Sequence, residues 1–197
     1  MTTKLKVFLG VTLVSLVLDQ ITKILVYTNL SIDRSDEIQI IPGLLSFIHA
    51  QNPNAAFGLG ASLPQPYRLL VFGVFTLIAV GMMVQMFMEL PAKDRFHSTT
   101  LGLILSGAVG NAIDRVHKQS VTDFIRVYTD DPELKTWCIQ NFGMSEWPTF
   151  NIADAAIVVG VALYLVGYLF IKDEAGALPP ETSGRDPVGQ VLTDKPS

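Results

Sequence analysis

Two short stretches of the chain repeat one pattern, an Asn three residues ahead of an Asp. The first is Gly110-Asn111-Ala112-Ile113-Asp114-Arg115 and the second is Phe150-Asn151-Ile152-Ala153-Asp154-Ala155. One apolar run ends at the first Asp, and another begins at the second. Two antiparallel helices would then carry Asp114 and Asp154 to a common depth. An ionisable side chain inside a membrane is costly, so an aspartate there points to function. Two carboxylates brought together resist double ionisation, and such a pair can hold a single proton near neutrality. That is the working state of an aspartic peptidase, in which one carboxylate activates a water and the protonated partner polarises the scissile carbonyl. Neither a metal nor a covalent intermediate is required. Asn111 and Arg115 share the helix of Asp114; Asn111 could donate to a substrate carbonyl, and Arg115 could hold the substrate or a lipid headgroup.

The same residues admit a plainer account. Asn151 suits a helix N-cap, and an acid at Asp154 suits the positive end of the helix that follows. Arg115 could simply snorkel toward water. From the residues alone, a catalytic pair therefore stands beside helix-end and proton-transport roles. Asp19 and Lys23 lie four apart with the acid first, the favourable order for a helical salt bridge. Such a bridge can support a site without doing chemistry. The histidines are His49, His97 and His117, with no His-Glu-x-x-His, which speaks against a zinc peptidase. A lone cysteine, Cys138, excludes an intrachain disulfide and a cysteine metal cluster. No cofactor and no metal are expected.

The elements that must position these groups follow from composition. Of 197 residues, 49% are hydrophobic and only 16% charged, against about a quarter charged in soluble domains. The net charge of -4 gives no basic footprint for nucleic acid. A bilayer crossing needs about 20 mostly apolar residues, and four runs are expected to supply one each: Val7–Tyr27, Tyr67–Leu90, Thr99–Ile113 with flanking residues, and Ile152–Ile171. Lys4 and Lys6 precede the first run in the manner of a signal sequence. No small-x-small cleavage site follows, so it reads as a retained helix. The fold expected is an all-α membrane protein of four transmembrane helices, with a small periplasmic β-sheet and a short periplasmic helix. Residues 1–172 form the membrane domain, 28–66 and 116–149 its periplasmic segments, and 173–197 a disordered cytoplasmic tail. Strands are expected at Glu37–Ile41, Leu44–Gln51 and Val121–Tyr128. A short helix should start at Asp131 as N-cap with Pro132 in its first turn. Positive charge is denser at the N-terminus and in the turn at 91–97. Both termini are therefore placed in the cytoplasm, and Asp114 and Asp154 near the outer leaflet.

With these motifs in order, the chain resembles the lipoprotein signal peptidases, signal peptidase II. The resemblance covers residues 7–171. It rests on Leu18-Asp19-Gln20-Ile21-Thr22-Lys23, the Asn52…Ala55-Ala56-Phe57 loop, the Ser106–Arg115 stretch, Val121-Thr122-Asp123-Phe124-Ile125 and the Phe150–Ala155 stretch. It implies an aspartic endopeptidase of the bacterial inner membrane that removes the signal peptide from prolipoproteins carrying a diacylglyceryl cysteine. It implies catalytic roles for Asp114 and Asp154, and supporting roles for Asp19, Lys23, Asn52, Asn111, Arg115, Asp123 and Asn151. Prolipoproteins and membrane lipid are the implied partners, with the enzyme a monomer. A β-sheet cradle and a mobile helix over the site would fall in 28–66. Two features depart from the pattern: Asn54 stands where the family usually has Gly, and the stretch between Asp123 and Asn151 is long. The alternative reading is a small proton-coupled transporter using the same aspartates.

Overall fold

The structure is a computed structural model and describes residues 1–54 and 62–170. Five helices and three strands follow in the order α1 (Thr3–Asn29), β1 (Ile38–Ile41), β2 (Leu45–Asn52), α2 (Gln65–Glu89), α3 (Phe96–Lys118), β3 (Val121–Val127), α4 (Pro132–Phe142) and α5 (Ile152–Phe170). Among the described residues, α1, α2 and α5 are long and apolar enough to cross a membrane. Helix α3 has 23 residues, about 35 Å at 1.5 Å per residue, and is more polar than the other three. Its polar groups face inward: Ser98, Thr100, Ser106, Asn111 and Asp114 are all buried. The expected tail at 173–197 and the Ala55-Ala56-Phe57 part of the loop lie outside the described residues.

Small residues let α3 sit at the centre. A Cβ on Gly107 would come within 2.3 Å of the Ala153 carbonyl oxygen, and one on Gly110 within 2.5 Å of Asp19 Oδ2. On α5, a Cβ at Gly160 would meet the Thr100 carbonyl oxygen at 2.9 Å. Close backbone approach of this kind is how membrane helices gain packing contact without a hydrophobic drive. Far from the Asn-x-x-Asp motifs, Lys4 Nζ donates to the carbonyls of Phe87, Met88 and Leu90 at 3.0, 3.2 and 2.7 Å. These are the orphan acceptors at the end of α2.

The three strands form one antiparallel sheet in the order β1-β2-β3. Phe47 pairs with Ile125, but Ala50 pairs with Asp123, so β2 carries a bulge between them. A bulge re-aims side chains and increases the local twist. The chain entering α5 then joins the sheet. The Phe150 carbonyl accepts from the amides of Phe124 and Ile125 at 3.0 and 2.8 Å, and the Phe150 amide donates to the Ile125 carbonyl at 3.2 Å. This pairing fixes the start of α5 beside β3. Helix α4 begins as expected, with the Asp131 carboxylate accepting from the Leu134 amide at 2.8 Å, and ends at Gly143 with φ of 72°.

Candidate active site

Nine side chains meet where α1, α3, β3 and the start of α5 converge. Lys23 is fully buried, and its ammonium has three acceptors: Asp19 Oδ2 at 3.0 Å, Asp114 Oδ2 at 3.3 Å and Asn111 Oδ1 at 3.0 Å. Three donors with three partners leave it satisfied. Asp19 Oδ1 also accepts from the Ala153 amide at 2.9 Å, an orphan donor of the first turn of α5. Asp114 is held on every side. Lys118 Nζ donates to its Oδ1 at 3.1 Å, and the Thr122 amide to its Oδ2 at 3.1 Å. Gln119, with φ of 60°, closes α3 between these two contacts.

Asn151 and Asp154 form a reciprocal cap on α5. Asn151 Oδ1 accepts from the Asp154 amide at 3.0 Å, and Asp154 Oδ2 from the Asn151 amide at 3.2 Å. This is capping-box geometry, so the helix-end account of Asn-x-x-Asp is realised in full. It leaves capacity to spare. Asp154 Oδ1 accepts from Asn111 Nδ2 at 2.8 Å, and Asn151 Nδ2 donates to Asp123 Oδ1 at 2.7 Å. Asn52 Nδ2 donates to Asp123 Oδ2 at 3.0 Å. Asn151 therefore holds one oxygen of Asp123 with its side chain and one of Asp154 with its backbone.

The four acids are thus sorted by partner. Asp19 and Asp114 are in salt bridges. Among the described residues Asp123 and Asp154 have none, and neutral amides are their donors. Asp123 is buried while Asp154 is partly exposed. Burial pushes the pKa of Asp123 up to about 6 from its ordinary 3.8, and the negative charge of Asp154 acts the same way; the amides of Asn52 and Asn151 and the charge of Lys23 oppose it. A carboxyl in that range, with no direct salt bridge and beside a second carboxylate, is suited to hold and pass a proton.

Residues 11–170 match the family model described as Signal peptidase (SPase) II. The chain belongs to the signal peptidase II family. It is 41% identical over 169 residues to a protein of Geobacter metallireducens named lipoprotein signal peptidase, covering 86% of this chain and 93% of that one. A Listeria monocytogenes protein of the same name is 34% identical, covering 83% and 92%. A solved bacterial membrane enzyme, obtained by the in meso method, superimposes with a TM-score of 0.65 at 28% identity, covering 84% of this chain and 94% of that one.

Against the expectations for a signal peptidase II, the structure gathers Asp19, Lys23, Asn52, Asn111, Arg115, Asp123, Asn151 and Asp154 with Asp114 in one cluster. The expectation paired Asp114 with Asp154 as the catalytic acids. No hydrogen bond joins them among the described residues; it is Asn111, one turn earlier on α3, that meets Asp154. Strand β3 carries Asp123 beside the start of α5, because Phe150 ties α5 to it. Arg115 reaches the Asn111 and Asn54 carbonyls at 3.5 and 3.4 Å. Of the two asparagines in the 52–54 turn, Asn52 touches Asp123, and its Oδ1 closes the turn by accepting from the Asn54 amide at 3.0 Å. Asn54 has no positive φ, so the position that is usually Gly needs none here. Lys118 went unforeseen, although its spacing of four from Asp114 is a standard helical pair.

Proposed function

We propose that the chain is an intramembrane aspartic endopeptidase that removes signal peptides from prolipoproteins whose cysteine carries a diacylglyceryl group. Its acid/base pair is Asp123 with Asp154. The observation that carries this reading is the sorting of the acids: two are salt-bridged by lysines, and the remaining two share Asn151 and have no direct salt bridge among the described residues. Asp123 holds the proton and polarises the scissile carbonyl. Asp154, the more exposed of the two, takes a proton from the attacking water. Collapse of the tetrahedral intermediate returns a proton to the leaving amine. Asn111 and Asn151 hold Asp154 in register, and Asn52 holds Asp123. Asp114, Asp19 and Lys23 form the charged frame against which α1, α3, β3 and α5 close.

In this reading α3 is the fourth membrane crossing, its polar side turned inward against α1 and α5. Residues 1–172 then form one membrane domain, with 173–197 a cytoplasmic tail. Both termini are cytoplasmic, the sheet and α4 lie on the periplasmic side of the inner membrane, and the site sits near that surface. One chain supplies the whole cluster, in keeping with a monomer acting on prolipoproteins amid membrane lipid.

The test is cleavage of a purified diacylglyceryl prolipoprotein by wild type and by Asp123→Asn, Asp154→Asn and Asp114→Asn. Loss of a general acid or base costs about 10²–10⁴-fold, so the first two variants should be inactive to that degree while remaining inserted. Asp114→Asn should lose stability and retain turnover. Turnover by Asp123→Asn together with its loss in a folded Asp114→Asn would restore Asp114 to the pair.

A further inference from the structure

Beside the catalytic cluster, between the first turns of α2 and the end of α3, lies a cavity of about 140 Å³. Its lining includes Gln65, Arg68, Leu69, Phe72, Arg115 and Gln119, with two guanidinium groups and no acid among the described residues; the carboxylates of Asp154, Asp123 and Asp114 act on Arg115 from the neighbouring cluster. The chain as a whole carries a net charge of -4, so this concentration of positive charge is local. Both arginines are anchored from one side only. Arg68 donates to Asn54 Oδ1 at 2.8 Å and the Pro53 carbonyl at 3.4 Å, and Arg115 lies 4.8 Å from the Phe72 ring centroid in addition to its two carbonyl bonds. The Nε atoms of both are buried and have no hydrogen-bond partner among the described residues. Each guanidinium carries five N–H donors, and the bonds above involve only Nη1 of Arg68, so donor capacity remains for an acceptor in the cavity.

We propose that this cavity binds the phosphodiester of an anionic phospholipid headgroup, with the acyl chains running down the outer face of α2. Planar guanidinium groups match phosphate oxygens in forked geometry and place two N–H bonds at once. Gln65 donates to Gln119 across the wall of the cavity, and the remaining amide capacity of this pair suits the hydroxyls of a polyol headgroup. The lipid source is favoured over free phosphate by what lies beneath the arginines. Leu69 and Phe72 form an apolar floor, and α2 continues from it with Leu70, Val74, Phe75 and Leu77 exposed. Arg115 belongs to both the cavity and the cluster, whereas Arg68 and Gln65 bond to none of the four acids, so binding is read on those two and without prolipoprotein.

Binding is measured on the full-length protein in a neutral detergent, without prolipoprotein, by native mass spectrometry and thermal shift. The probes are short-chain phosphatidylglycerol, short-chain phosphatidylcholine and glycerol phosphate. Wild type should bind phosphatidylglycerol saturably and more tightly than either of the others. Arg68→Gln should weaken that binding by about tenfold or more, the loss of one charge-assisted pair. Arg68→Lys should restore part of it. Gln65→Glu, a change at an exposed position, provides a second arm should Arg68→Gln not fold, and should weaken binding by adding a negative charge at the cavity. Equal affinity for the two lipids, or phosphatidylglycerol binding untouched by whichever of these two variants folds, overturns the proposal. Glycerol phosphate binding as tightly as the lipid overturns the lipid source.

Discussion

Replacing Asp123 with asparagine should stabilise the protein at neutral pH while abolishing cleavage. Asp123 is buried, and its carboxyl is raised to about 6 from an ordinary 3.8. The folded state therefore binds the proton more tightly than the unfolded state. Above about pH 6 both states are ionised there, and the folded protein bears the whole cost of the buried charge. As pH falls from 6 toward 4 the cost disappears. The shift of about two units corresponds to roughly 3 kcal/mol. The amide is neutral at every pH and nearly isosteric with the protonated acid. The hydroxyl oxygen of the acid can still accept from one of the amides of Asn52 and Asn151, whereas the NH2 of the variant meets it donor to donor, an offset of about 1 kcal/mol. The variant should therefore be slightly less stable than wild type near pH 4, and more stable by about 2 kcal/mol at pH 7.5. For a chain of this length that is several degrees in midpoint, read by thermal unfolding in detergent micelles. Part of the increment comes from the charge of Asp154, so it should shrink in an Asp154→Asn background. A variant that is no more stable than wild type at pH 7.5, or a difference that does not change with pH, would refute the placement of Asp123 as a buried, proton-holding carboxyl.

Three further outcomes are expected. Lys23→Met removes a buried cation from between Asp19 and Asp114; stranding a buried charge costs about 3–5 kcal/mol, so the variant should accumulate poorly, and combining it with Asp19→Asn should recover part of the yield. Gly107→Ala places a Cβ where it would lie 2.3 Å from the Ala153 carbonyl oxygen; overpacking of this kind costs about 1–3 kcal/mol, and because α3 and α5 would separate, cleavage should fall with the unfolding midpoint. Removing 129–145 should leave the fold intact, since Tyr128 and Glu146 already pair as a β-bridge and a short glycine join would span them. Circular dichroism and the unfolding midpoint would check that. If α4 narrows access to the site, the deletion should change the relative cleavage rates of different prolipoproteins, and identical rates for all would argue that α4 has no part in substrate entry.

Much of the molecule was legible because membrane physics writes itself into sequence. Helices α1, α2 and α5 follow from apolar length alone. The strands follow from β-rich runs broken at Pro42-Gly43, and α4 from Asp131 and Pro132. Asp19 and Lys23 could be paired from their spacing. The candidate residues do come together in space, yet which of them touch was not legible. Two facts set those contacts. Asn111, not Asp114, faces Asp154 across the α3–α5 contact, and the Phe150 backbone adds to β3 and brings Asp123 to the start of α5. Neither fact has a sequence signature. Backbone pairing between a loop residue and a strand depends on tertiary register, and the register between helices depends on which glycines let their backbones meet.

The division of labour among the acids also explains why such a cluster is tolerable. Four carboxylates packed together without cations would repel one another strongly. Here Lys23 and Lys118 neutralise Asp19 and Asp114, and those charges fasten helices and a strand together. Asp123 is left raised in the reactive range, and its cost is partly offset by neutral N–H donors and by the charge of Lys23, with no direct salt bridge. A lysine against Asp123 would stabilise the fold and hold its carboxyl ionised, removing the proton that the proposed chemistry requires. Placing amides there instead keeps the group buried, oriented and able to hold a proton. The stability gained by Asp123→Asn and the activity lost with it are then two readings of the same choice of partners.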